Sequence, residues 1–593
     1  MTTLALSENA LRVMEARYLR RDAQRRLTET PEQLFARVAK AIAQAELLLG
    51  DAHQADYWEE IFYKTLTAFD FLPNSPTLMN AGTPLGQLSA CFVLPVDDTM
   101  ESIFEAVKQM ALVQRTGGGT GFAFSRLRPK GEVVASTGGV ASGPVSFMKI
   151  FDGATEHIKQ GGKRRGANMG VLRVDHPDIM EFVRAKLDGT SLQNFNLSVG
   201  VTDAFLEAVQ RDQPYDLIDP RSAAPVGHLR AKMVFDAIVD AAWHTGDPGL
   251  LFLDCLNRTN PTPHLGRIEA TNPCGEIPLL PYESCNLGSI NLAHMLTMQG
   301  GDATVDWQKL RATTRTAVRF LDDVIEVNRY PLPEIDRMSR GNRKIGLGVM
   351  GFADMLLRLG MSYDSDDAVA FAGTLMRAIA EAARQASQEL AEERGVFPNW
   401  KGSVYEAQHL KVRHATCLAV APTGTLSIIA GTSASIEPLF ALAYRRTHVL
   451  GEQTLTEVNP IFVEALDRHG VRAAELIDQV LEKGHLREVA GVPEKLKRLF
   501  VTALEIPVER HLQMQAAFQQ HVDNSVSKTV NLPQDATPQD VARAYWRAWE
   551  LGLKGITIYR YGSKAMQVVE LGIDEAAHHY DHAAKCDPEE CKI

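Results

Sequence analysis

Three polar side chains alternate along one short segment, Asn272, Cys274 and Glu276 in the run Asn272-Pro273-Cys274-Gly275-Glu276. If the segment is extended, residues two positions apart project to the same side, so an amide, a thiol and a carboxylate would converge. Such a site could polarise a hydroxyl group, exchange a hydrogen atom with a substrate carbon and accept a proton. A buried cysteine beside a turn explains the same residues, so both interpretations stay open from the residues alone.

The other cysteines are sparse, since the 593 residues contain only seven, too few for a disulfide scaffold. In a reducing compartment an unusually placed cysteine is a candidate for chemistry, although Cys255 and Cys417 are expected to be buried packing residues. Cys586 and Cys591 form a Cys-x4-Cys pair near the end of the sequence. Three nearby histidines make zinc binding an alternative, but the spacing fits no standard zinc finger, and no metal site is predicted.

Two segments are candidates for phosphate binding. The first, Pro422-Thr423-Gly424-Thr425-Leu426-Ser427, follows a predicted strand and opens a predicted helix. Backbone N–H groups at a helix start, with hydroxyl groups beside them, suit a diphosphate. The segment lacks the Walker lysine, so ATP hydrolysis is not indicated. The second segment, Gly117-Gly118-Gly119-Thr120-Gly121, is more often a tight turn.

The elements that must position these residues are of two kinds. Up to about residue 70 the sequence predicts helices: Thr30 can cap one, Pro31 suits its first turn, and apolar residues then recur at helical spacing. Beyond residue 70, short apolar strands alternate with amphipathic helices, which indicates α/β architecture. The predicted strands are 90–96, 121–127, 344–349, 416–421 and 555–560, and the predicted helices include 352–359 and 378–393.

Composition and charge exclude several classes of protein. The net charge of -11 provides no basic face for duplex DNA, so no nucleic-acid partner is expected. No apolar run reaches the ~20 residues that span a bilayer. The first twelve residues contain no apolar signal-peptide core. The sequence therefore predicts a cytoplasmic protein without a membrane partner.

Taken together, the segments resemble the ribonucleotide reductase family. The run around Cys274 is similar to the thiyl-radical loop of that family, and residues 71–82 and 89–95 resemble its first substrate loop. Residues 422–427, with Ile436-Glu437-Pro438, resemble its phosphate loop, and residues 555–560 its last barrel strand. The resemblance runs from about Leu6 to the C-terminus. It implies a ten-stranded α/β barrel of the ribonucleotide reductase and glycyl radical enzyme type, with an N-terminal helical domain.

The resemblance also implies a reaction, the reduction of ribonucleoside diphosphates to 2′-deoxyribonucleoside diphosphates. Cys274 would carry the thiyl radical and take the 3′ hydrogen of the ribose. Glu276 would remove the 3′-hydroxyl proton, and Asn272 would hydrogen-bond the sugar. Cys91 and Cys285 would form the reducing pair and end as a disulfide, because loss of water from C2′ needs two electrons. The substrate-binding residues implied are Ser75 and the run from Pro422 to Ser427.

Re-reduction and regulation follow from the same resemblance. Cys586 and Cys591 would exchange disulfides with the active-site pair and be reduced by thioredoxin or glutaredoxin. Asp98 would contact the sugar of a dNTP effector and Arg128 its phosphates. Residues 160–168 match the family's specificity loop, and its Lys163 and Arg164 would lie beside the effector. Taken alone, such a run is usually a solvated basic loop. No ATP-cone-like segment precedes the helical region, so an overall on/off site is not expected.

The type of radical generator is predicted from three segments. Oxygen-dependent members carry two adjacent tyrosines near the last barrel strand, whereas here Arg560 separates Tyr559 from Tyr561. No glycyl-radical motif is found. Residues 117–128, 274–278 and 555–560 are most similar to the adenosylcobalamin-dependent type, although that type has an acidic residue where Tyr561 stands. The cofactor predicted is therefore adenosylcobalamin.

The resemblance further predicts the dimeric form of this type, because no large insertion lies between residues 100 and 163. Three domains are expected: residues 1–70 are helical, residues 71–565 form the barrel, and residues 566–593 are a flexible redox tail. One alternative is the large subunit of an oxygen-dependent reductase. A more remote alternative is a nucleotide-binding redox sensor without radical chemistry, which leaves Asn272, Glu276 and the Cys91/Cys285 pair unexplained.

Overall fold

The computed structural model of the chain describes residues 4–50, 52–133, 138–160, 164–300, 302–446, 455–472 and 476–563. These residues form two units: the larger runs to residue 439 and resumes at residue 503, and the smaller spans residues 440–502. No helix in the described ranges is both long enough and apolar enough to cross a membrane. The predicted domain boundaries stay a prediction, and the proposed redox tail lies outside the described residues.

Helices and short strands alternate along most of the chain. The helices are α1 Glu8–Arg17, α2 Pro31–Leu48, α3 Ala52–Thr67, α4 Ser75–Asn80, α5 Met100–Gln114, α6 Pro144–His157, α7 Ile179–Val183, α8 Asp203–Gln210, α9 Ala231–Thr245, α10 Leu253–Arg258, α11 Trp307–Val327, α12 Pro333–Asn342, α13 Phe352–Arg358, α14 Asp366–Arg394, α15 Val404–Ala407, α16 Gly424–Ala430, α17 Pro460–Arg468, α18 Ile477–Lys483, α19 Glu494–Leu499, α20 Val508–Gln519 and α21 Pro538–Glu550. The strands are β1 Phe71–Pro73, β2 Cys91–Val93, β3 Gly119–Ala123, β4 Lys159–Gln160, β5 Arg164–Arg165, β6 Asn168–Arg173, β7 Phe195–Val201, β8 Pro214–Ile218, β9 Pro225–Arg230, β10 Gly249–Phe252, β11 Ala270–Thr271, β12 Pro278–Leu279, β13 Ser284–Asn291, β14 Leu296–Gln299, β15 Asp302–Val305, β16 Ile345–Met350, β17 Ala443–Arg446, β18 Leu455–Val458, β19 Thr529–Leu532 and β20 Gly555–Arg560.

The N-terminal helices form as their sequence predicts. Thr30 caps α2 and exchanges hydrogen bonds with Gln33, which completes a capping box, and Pro31 occupies the first turn. The apolar residues at helical spacing are all buried, among them Leu34, Phe35 and Val38. Burial of one apolar face explains why this helix packs against α3 and α11.

Ten strands in two parallel sets of five close into a barrel. Across the sheet the first set runs β2, β3, β6, β7 and β10. The second set comprises β13, β16, the segment 418–420, the segment from Val526 into β19, and β20. Antiparallel pairing joins the sets at both seams, β2 with β13 and β10 with β20. The predicted ten-stranded α/β barrel is confirmed, although the predicted strand at 416–421 consists only of two isolated bridges.

The opposite directions of the two sets determine where the barrel opens. The amino ends of the first set and the carboxyl ends of the second set meet at one mouth. The loops that precede β2 and β3 and the loop that precedes α16 therefore come together there. This mouth is the place where the sequence motifs can meet.

A short hairpin, residues 270–279 with strands β11 and β12, passes through the barrel, and we call it the central hairpin. Its backbone lies against β3 so closely that a Cβ atom at Gly121 would be 1.8 Å from the carbonyl oxygen of Thr271. No side chain fits there, so Gly121 is required for the approach. The glycine-rich run 117–121 therefore provides space for the hairpin within the barrel.

Both halves of the barrel hold the central hairpin. From the first set, the side-chain amide of Asn196 in β7 donates to the carbonyl oxygen of Pro273 at 2.8 Å. From the second set, the backbone N–H of Ser525 donates to the carbonyl oxygen of Glu276 at 2.9 Å. These bonds satisfy backbone groups that would otherwise be buried without partners, and they fix the height of the hairpin in the barrel.

The smaller unit, residues 440–502, has its own packing. β17 and β18 pair as an antiparallel ladder, and α17, α18 and α19 follow them. Phe462 and Phe500 meet edge to face with ring centroids 5.2 Å apart. This aromatic contact joins α17 to the end of the unit.

Replacement of Gly121 by alanine should destabilise the protein, because the new methyl group must displace the backbone of the central hairpin. We expect a loss of about 3 kcal/mol in the free energy of unfolding, at the upper end for overpacked cores. Urea unfolding followed by circular dichroism measures it. The matched control is Gly373→Ala inside α14, where the nearest atom is 4.0 Å away. That variant should gain roughly 0.5 kcal/mol, and equal stability of the two variants would contradict the close approach.

Candidate active site

The tip of the central hairpin is a turn. The backbone N–H of Gly275 donates to the carbonyl oxygen of Asn272 at 3.1 Å, and Gly275 has a φ of +83°. The segment is therefore a turn, and the extended form considered in the sequence analysis is not the one observed. A proline after the first turn residue and a glycine in the left-handed region favour a turn over a strand. The Asn272 side-chain oxygen accepts the N–H of Ile277 at 3.0 Å, which holds the turn from inside.

One cavity nevertheless collects the three predicted side chains. It has a volume of about 220 Å³ and opens at the mouth described above. Asn272, Cys274 and Glu276 all line it, and so does Cys91 from β2. The Cys274 side chain is exposed, whereas Asn272 and Glu276 are buried. An exposed thiol thus stands beside a buried carboxylate and a buried amide.

The two remaining predicted cysteines lie opposite each other. Cys91 in β2 and Cys285 in β13 are partners in the antiparallel register. Cα atoms in such pairs are about 4.5 to 5.5 Å apart. That separation lies within the range that a disulfide bond requires. Both cysteines are buried, but Cys91 lines the cavity and Cys285 does not, so the first is the one that a bound molecule can contact.

Burial controls the protonation of Cys285. Desolvation raises the pKa of its thiol well above the ordinary value, and the nearby carboxylates of Glu283 and Glu276 act in the same direction. Lys344 opposes them. Cys285 is therefore held as a neutral thiol that can give up a proton together with electrons.

A buried ion pair lies next to Cys285, and the sequence analysis did not identify it. The Lys344 ammonium group is 2.7 Å from the Glu283 carboxylate, and both side chains are at most 2% exposed. The same carboxylate accepts hydrogen bonds from the backbone N–H of Leu280 and the side chain of Asn342. Lys344 is 61 residues from Glu283 in the sequence, so no local pattern indicates that the two residues form a pair.

The predicted phosphate loop lies on the other side of the cavity. Pro422, Thr423, Gly424, Thr425 and Leu426 line it. Thr423 has a φ of +53° and precedes α16, and its hydroxyl accepts the N–H of Ser435 at 2.7 Å. The predicted residue Ser427 is buried and is not among the lining residues, because its hydroxyl donates to the Gly424 carbonyl within the helix.

Two lining residues come from the N-terminal helical domain, where no chemistry was predicted. Arg17 is the last residue of α1, and Tyr18 follows it. The Tyr18 hydroxyl is 2.7 Å from the hydroxyl of Ser75, a predicted substrate residue that also lines the cavity. Helical spacing identifies Tyr18 only as a packing residue, so nothing in the local sequence indicates its position beside the site.

The predicted effector residues lie elsewhere on the larger unit. Asp98 and Arg128 form an ion pair of 2.8 Å, and the backbone N–H of Arg128 also donates to the Asp98 carboxylate. The structure therefore brings these two residues together. Lys163 lies outside the described residues, as does the side chain of Arg164.

The remaining residues named in the sequence analysis are two single cysteines, two tyrosines and the pair of cysteines near the C-terminus. Cys417 is buried, which confirms its predicted packing role, and Cys255 is partly buried. Burial raises the pKa of the Tyr559 phenol, and the nearby Tyr561 raises it further. Cys586 and Cys591 lie outside the described residues.

Comparisons with known proteins agree with this architecture. The family described as "Ribonucleotide reductase, barrel domain" matches residues 89–413 and 410–559, and "Ribonucleotide reductase, all-alpha domain" matches residues 4–86. A protein of Thermoplasma acidophilum named "Vitamin B12-dependent ribonucleoside-diphosphate reductase" is 49% identical over 96% of this chain and 81% of its own length. A protein of Mycobacterium tuberculosis with the same name is 52% identical over 95% of this chain and 81% of its own.

A solved structure extends the likeness to the fold. The alpha subunit of the class Id ribonucleotide reductase from Actinobacillus ureae superposes with a TM-score of 0.75 over 94% of this chain and 97% of its own. Only 24% of the residues are identical, so this likeness shows the fold alone.

Mild oxidation should join Cys91 to Cys285, because their register meets the geometry of a disulfide. The full chain is treated with diamide, denatured in the presence of an alkylating agent that blocks free thiols, digested and analysed by mass spectrometry. We expect a linked peptide pair that contains Cys91 and Cys285, and its loss in Cys91→Ser. The control Cys417→Ser should leave the link intact. A link from Cys91 to Cys274 in place of Cys285 would contradict the assignment of the pair.

Proposed function

Because this chain belongs to the ribonucleotide reductase family, we propose that the cavity described above is where its radical chemistry takes place. The chain reduces ribonucleoside diphosphates to 2′-deoxyribonucleoside diphosphates and depends on adenosylcobalamin, the form of vitamin B12 that generates radicals. The site assignment is supported chiefly by one observation, the presence of Asn272, Cys274, Glu276 and Cys91 around a single cavity.

The residues present fit an adenosylcobalamin cofactor. The Cys274 side chain is exposed at the tip of the central hairpin, so a group can approach its sulfur from outside. Cys274 and Pro273, at the tip of the hairpin and in the cavity lining, are the residues that would meet the bound cofactor. When bound, the cofactor supplies homolytic cleavage of a weak cobalt–carbon bond.

The protein's own residues then divide the chemistry of the ribose. Cys274, as a sulfur radical, takes the hydrogen atom from C3′, and the Glu276 carboxylate accepts the proton of the 3′-hydroxyl. Asn272 holds the turn and presents its amide to the cavity, where it orients the sugar. Because Glu276 is buried, the proton is exchanged away from bulk water.

The thiol pair provides the electrons. The C2′–O bond breaks as a thiol proton joins the departing hydroxyl, which leaves as water. Cys91 and Cys285 together lose two hydrogen atoms and form one sulfur–sulfur bond, so ribose and two thiols become deoxyribose, water and a disulfide. Cys274 finally returns its hydrogen atom to C3′. Cys91 lines the cavity and is the nearer donor, with Cys285 behind it.

Substrate binding places the diphosphate at the loop before α16. Residues Pro422 to Leu426 and Ser75 line the same cavity as the catalytic residues. Backbone N–H groups and hydroxyls in this loop suit phosphate oxygens. Ser427 then has a structural role, because its hydroxyl donates a hydrogen bond to the Gly424 carbonyl oxygen within the helix.

Regulation and dimerisation belong to the same proposal. Asp98 lies two residues before the start of α5, and α6 leads into the proposed specificity loop at residues 160–168. These two helices pack together and expose large apolar side chains, Met100 and Phe104 on α5 and Ile150 on α6. Exposed apolar groups on adjacent helices suit a subunit interface. We assign this face to a homodimer in which Asp98, Arg128, Lys163 and Arg164 bind dNTP effectors.

Re-reduction of the Cys91–Cys285 disulfide completes the cycle. Cys285 is buried, so a large protein reductant cannot reach it directly. The pair Cys586 and Cys591 is assigned to carry electrons from thioredoxin or glutaredoxin to the site.

The cytoplasmic location of the protein stays a prediction.

The large subunit of an oxygen-dependent reductase is the less favoured alternative. Its radical route needs two adjacent tyrosines, whereas here Arg560, the last residue of β20, separates Tyr559 from Tyr561. A redox sensor without radical chemistry would not need Asn272 and Glu276 beside Cys274.

An anaerobic assay tests the proposed site. Purified protein with CDP, a small dithiol and adenosylcobalamin should form dCDP without any metal-carrying second subunit. Cys274→Ser should abolish product, because a serine O–H bond is too strong to yield a radical easily. The control Cys417→Ser, at a buried packing cysteine, should keep most of the rate. Product formation by Cys274→Ser at the wild-type rate would exclude Cys274 as the radical carrier.

Substitution of Phe104 by glutamate tests the dimer. A charge at an apolar interface is costly to bury, so the variant should sediment as a monomer where the wild type is a dimer. Its substrate preference should also no longer respond to dTTP or dGTP. Met233→Glu, at another exposed apolar residue on α9, is the control and should stay dimeric. A dimeric Phe104→Glu with intact effector response would place the interface elsewhere.

A further inference from the structure

The cavity contains one cationic side chain among its described lining residues, and that residue is Arg17. It belongs to the N-terminal helical domain, which the chemistry of the barrel does not otherwise involve. Its Nη1 atom lies 3.4 Å from the Thr425 hydroxyl in the loop before α16. The guanidinium group is therefore at the edge of the place assigned to the substrate phosphates.

The backbone beside Arg17 is firmly anchored. Tyr18 is 2% exposed, and its hydroxyl is 2.7 Å from that of Ser75 in the cavity lining. Its backbone N–H caps α1 by donating to the Met14 carbonyl. Further along, the Arg20 guanidinium donates to the carbonyl oxygen of Gly82. The end of α1 is thus fixed against the segment that follows β1, while the Arg17 side chain is exposed to solvent.

A nucleoside diphosphate brings at least two negative charges into this cavity. The other groups at the phosphate loop are neutral N–H and hydroxyl donors, and Glu276, the one acidic residue among the described residues that line the cavity, adds negative charge. An arginine can meet a phosphate with two parallel hydrogen bonds, and charge-assisted bonds are stronger than neutral ones. We propose that Arg17 binds the terminal phosphate of the substrate and is a specificity-determining residue for the diphosphate.

This inference rests on the proposed function in one respect, the placement of the substrate phosphates at the loop before α16. It adds a selection by phosphate number. Because Arg17 lies at the rim of the cavity, it would reach the second phosphate more readily than the first. The diphosphate should therefore gain more from Arg17 than the monophosphate does, and a nucleoside without phosphate should gain nothing.

Calorimetric titration of the full chain, loaded with adenosylcobalamin, tests the proposal. The probes are dCDP, dCMP and deoxycytidine, which the enzyme does not reduce further. In Arg17→Gln the Kd of dCDP should rise about 10-fold, as expected for loss of a partly exposed charged hydrogen bond. The Kd of dCMP should rise less, and that of deoxycytidine should stay unchanged. Arg17→Lys keeps the charge without the planar fork and should lie between wild type and Arg17→Gln.

Arg12→Gln is the matched control. Arg12 lies on the same helix, pairs with Glu8 on its outer face and is absent from the cavity lining, so binding of dCDP should be unaffected. The proposal is overturned if Arg17→Gln binds dCDP within twofold of wild type, or if all three probes weaken equally. Failure of the proposed function is a separate result, wild-type protein that binds dCDP but does not convert CDP to it.

Discussion

The passage of the central hairpin through the barrel is the constraint on which the rest of the structure depends. Side chains alone fill the interior of a barrel of about eight strands, whereas ten strands enclose a wider space, and here a piece of backbone occupies it. Backbone is polar, so it can be buried only where the barrel supplies partners, as Asn196 and Ser525 do. It also needs room, which is why a glycine stands at position 121. The hairpin in turn fixes the height of Cys274 relative to Cys91 in the neighbouring strand.

That arrangement gives the cysteines different environments and therefore different chemistry. Cys274, at the tip, is exposed, and Cys285, in the barrel wall, is buried with its pKa raised. The Glu283–Lys344 pair next to Cys285 would be costly to bury alone, but each charge has its partner at 2.7 Å. Removal of either partner would leave a bare charge beside the Cys285 thiol. The pair thus keeps the surroundings of Cys285 electrically balanced while the thiol stays protonated.

The N-terminal helices contribute to the site because buried ions join them to the barrel. Glu46 in α2 is buried and accepts from Arg319 in α11 at 2.7 Å and from Arg394 in α14 at 2.8 Å. Arg394 also contacts Asp322 and Asp323, and their combined charge raises its pKa despite burial. A helical domain tied in this way keeps the end of α1 in register with the loop before α16. Arg17 can therefore act at a cavity built mainly by other elements.

The sequence was sufficient to predict the features that local patterns encode. The cap at Thr30 and the strand 555–560 were predicted as they are observed, and the cysteines proposed to be catalytic were selected through ordered motifs. Turn chemistry decided against the extended form of residues 272–276, since Pro273 and Gly275 each favour a turn. Helix α14 is almost twice as long as the predicted 378–393, because alanines and a glycine hide its periodicity.

Features that arise only from packing left no local pattern to find. The segment 416–421 has a strand-like sequence, but its partners on both sides pair with it at single positions only. Arg17 and Lys344 resemble any solvated cation in a helix end or a loop, and only the fold brings them to Thr425 and Glu283. Such a cation is held in place when the backbone beside it is fixed. Buried Tyr18 does this for Arg17, and the buried barrel wall does it for Lys344. Sequence motifs therefore indicate the groups proposed to react, while the cations that lie beside them are found only through long-range contacts.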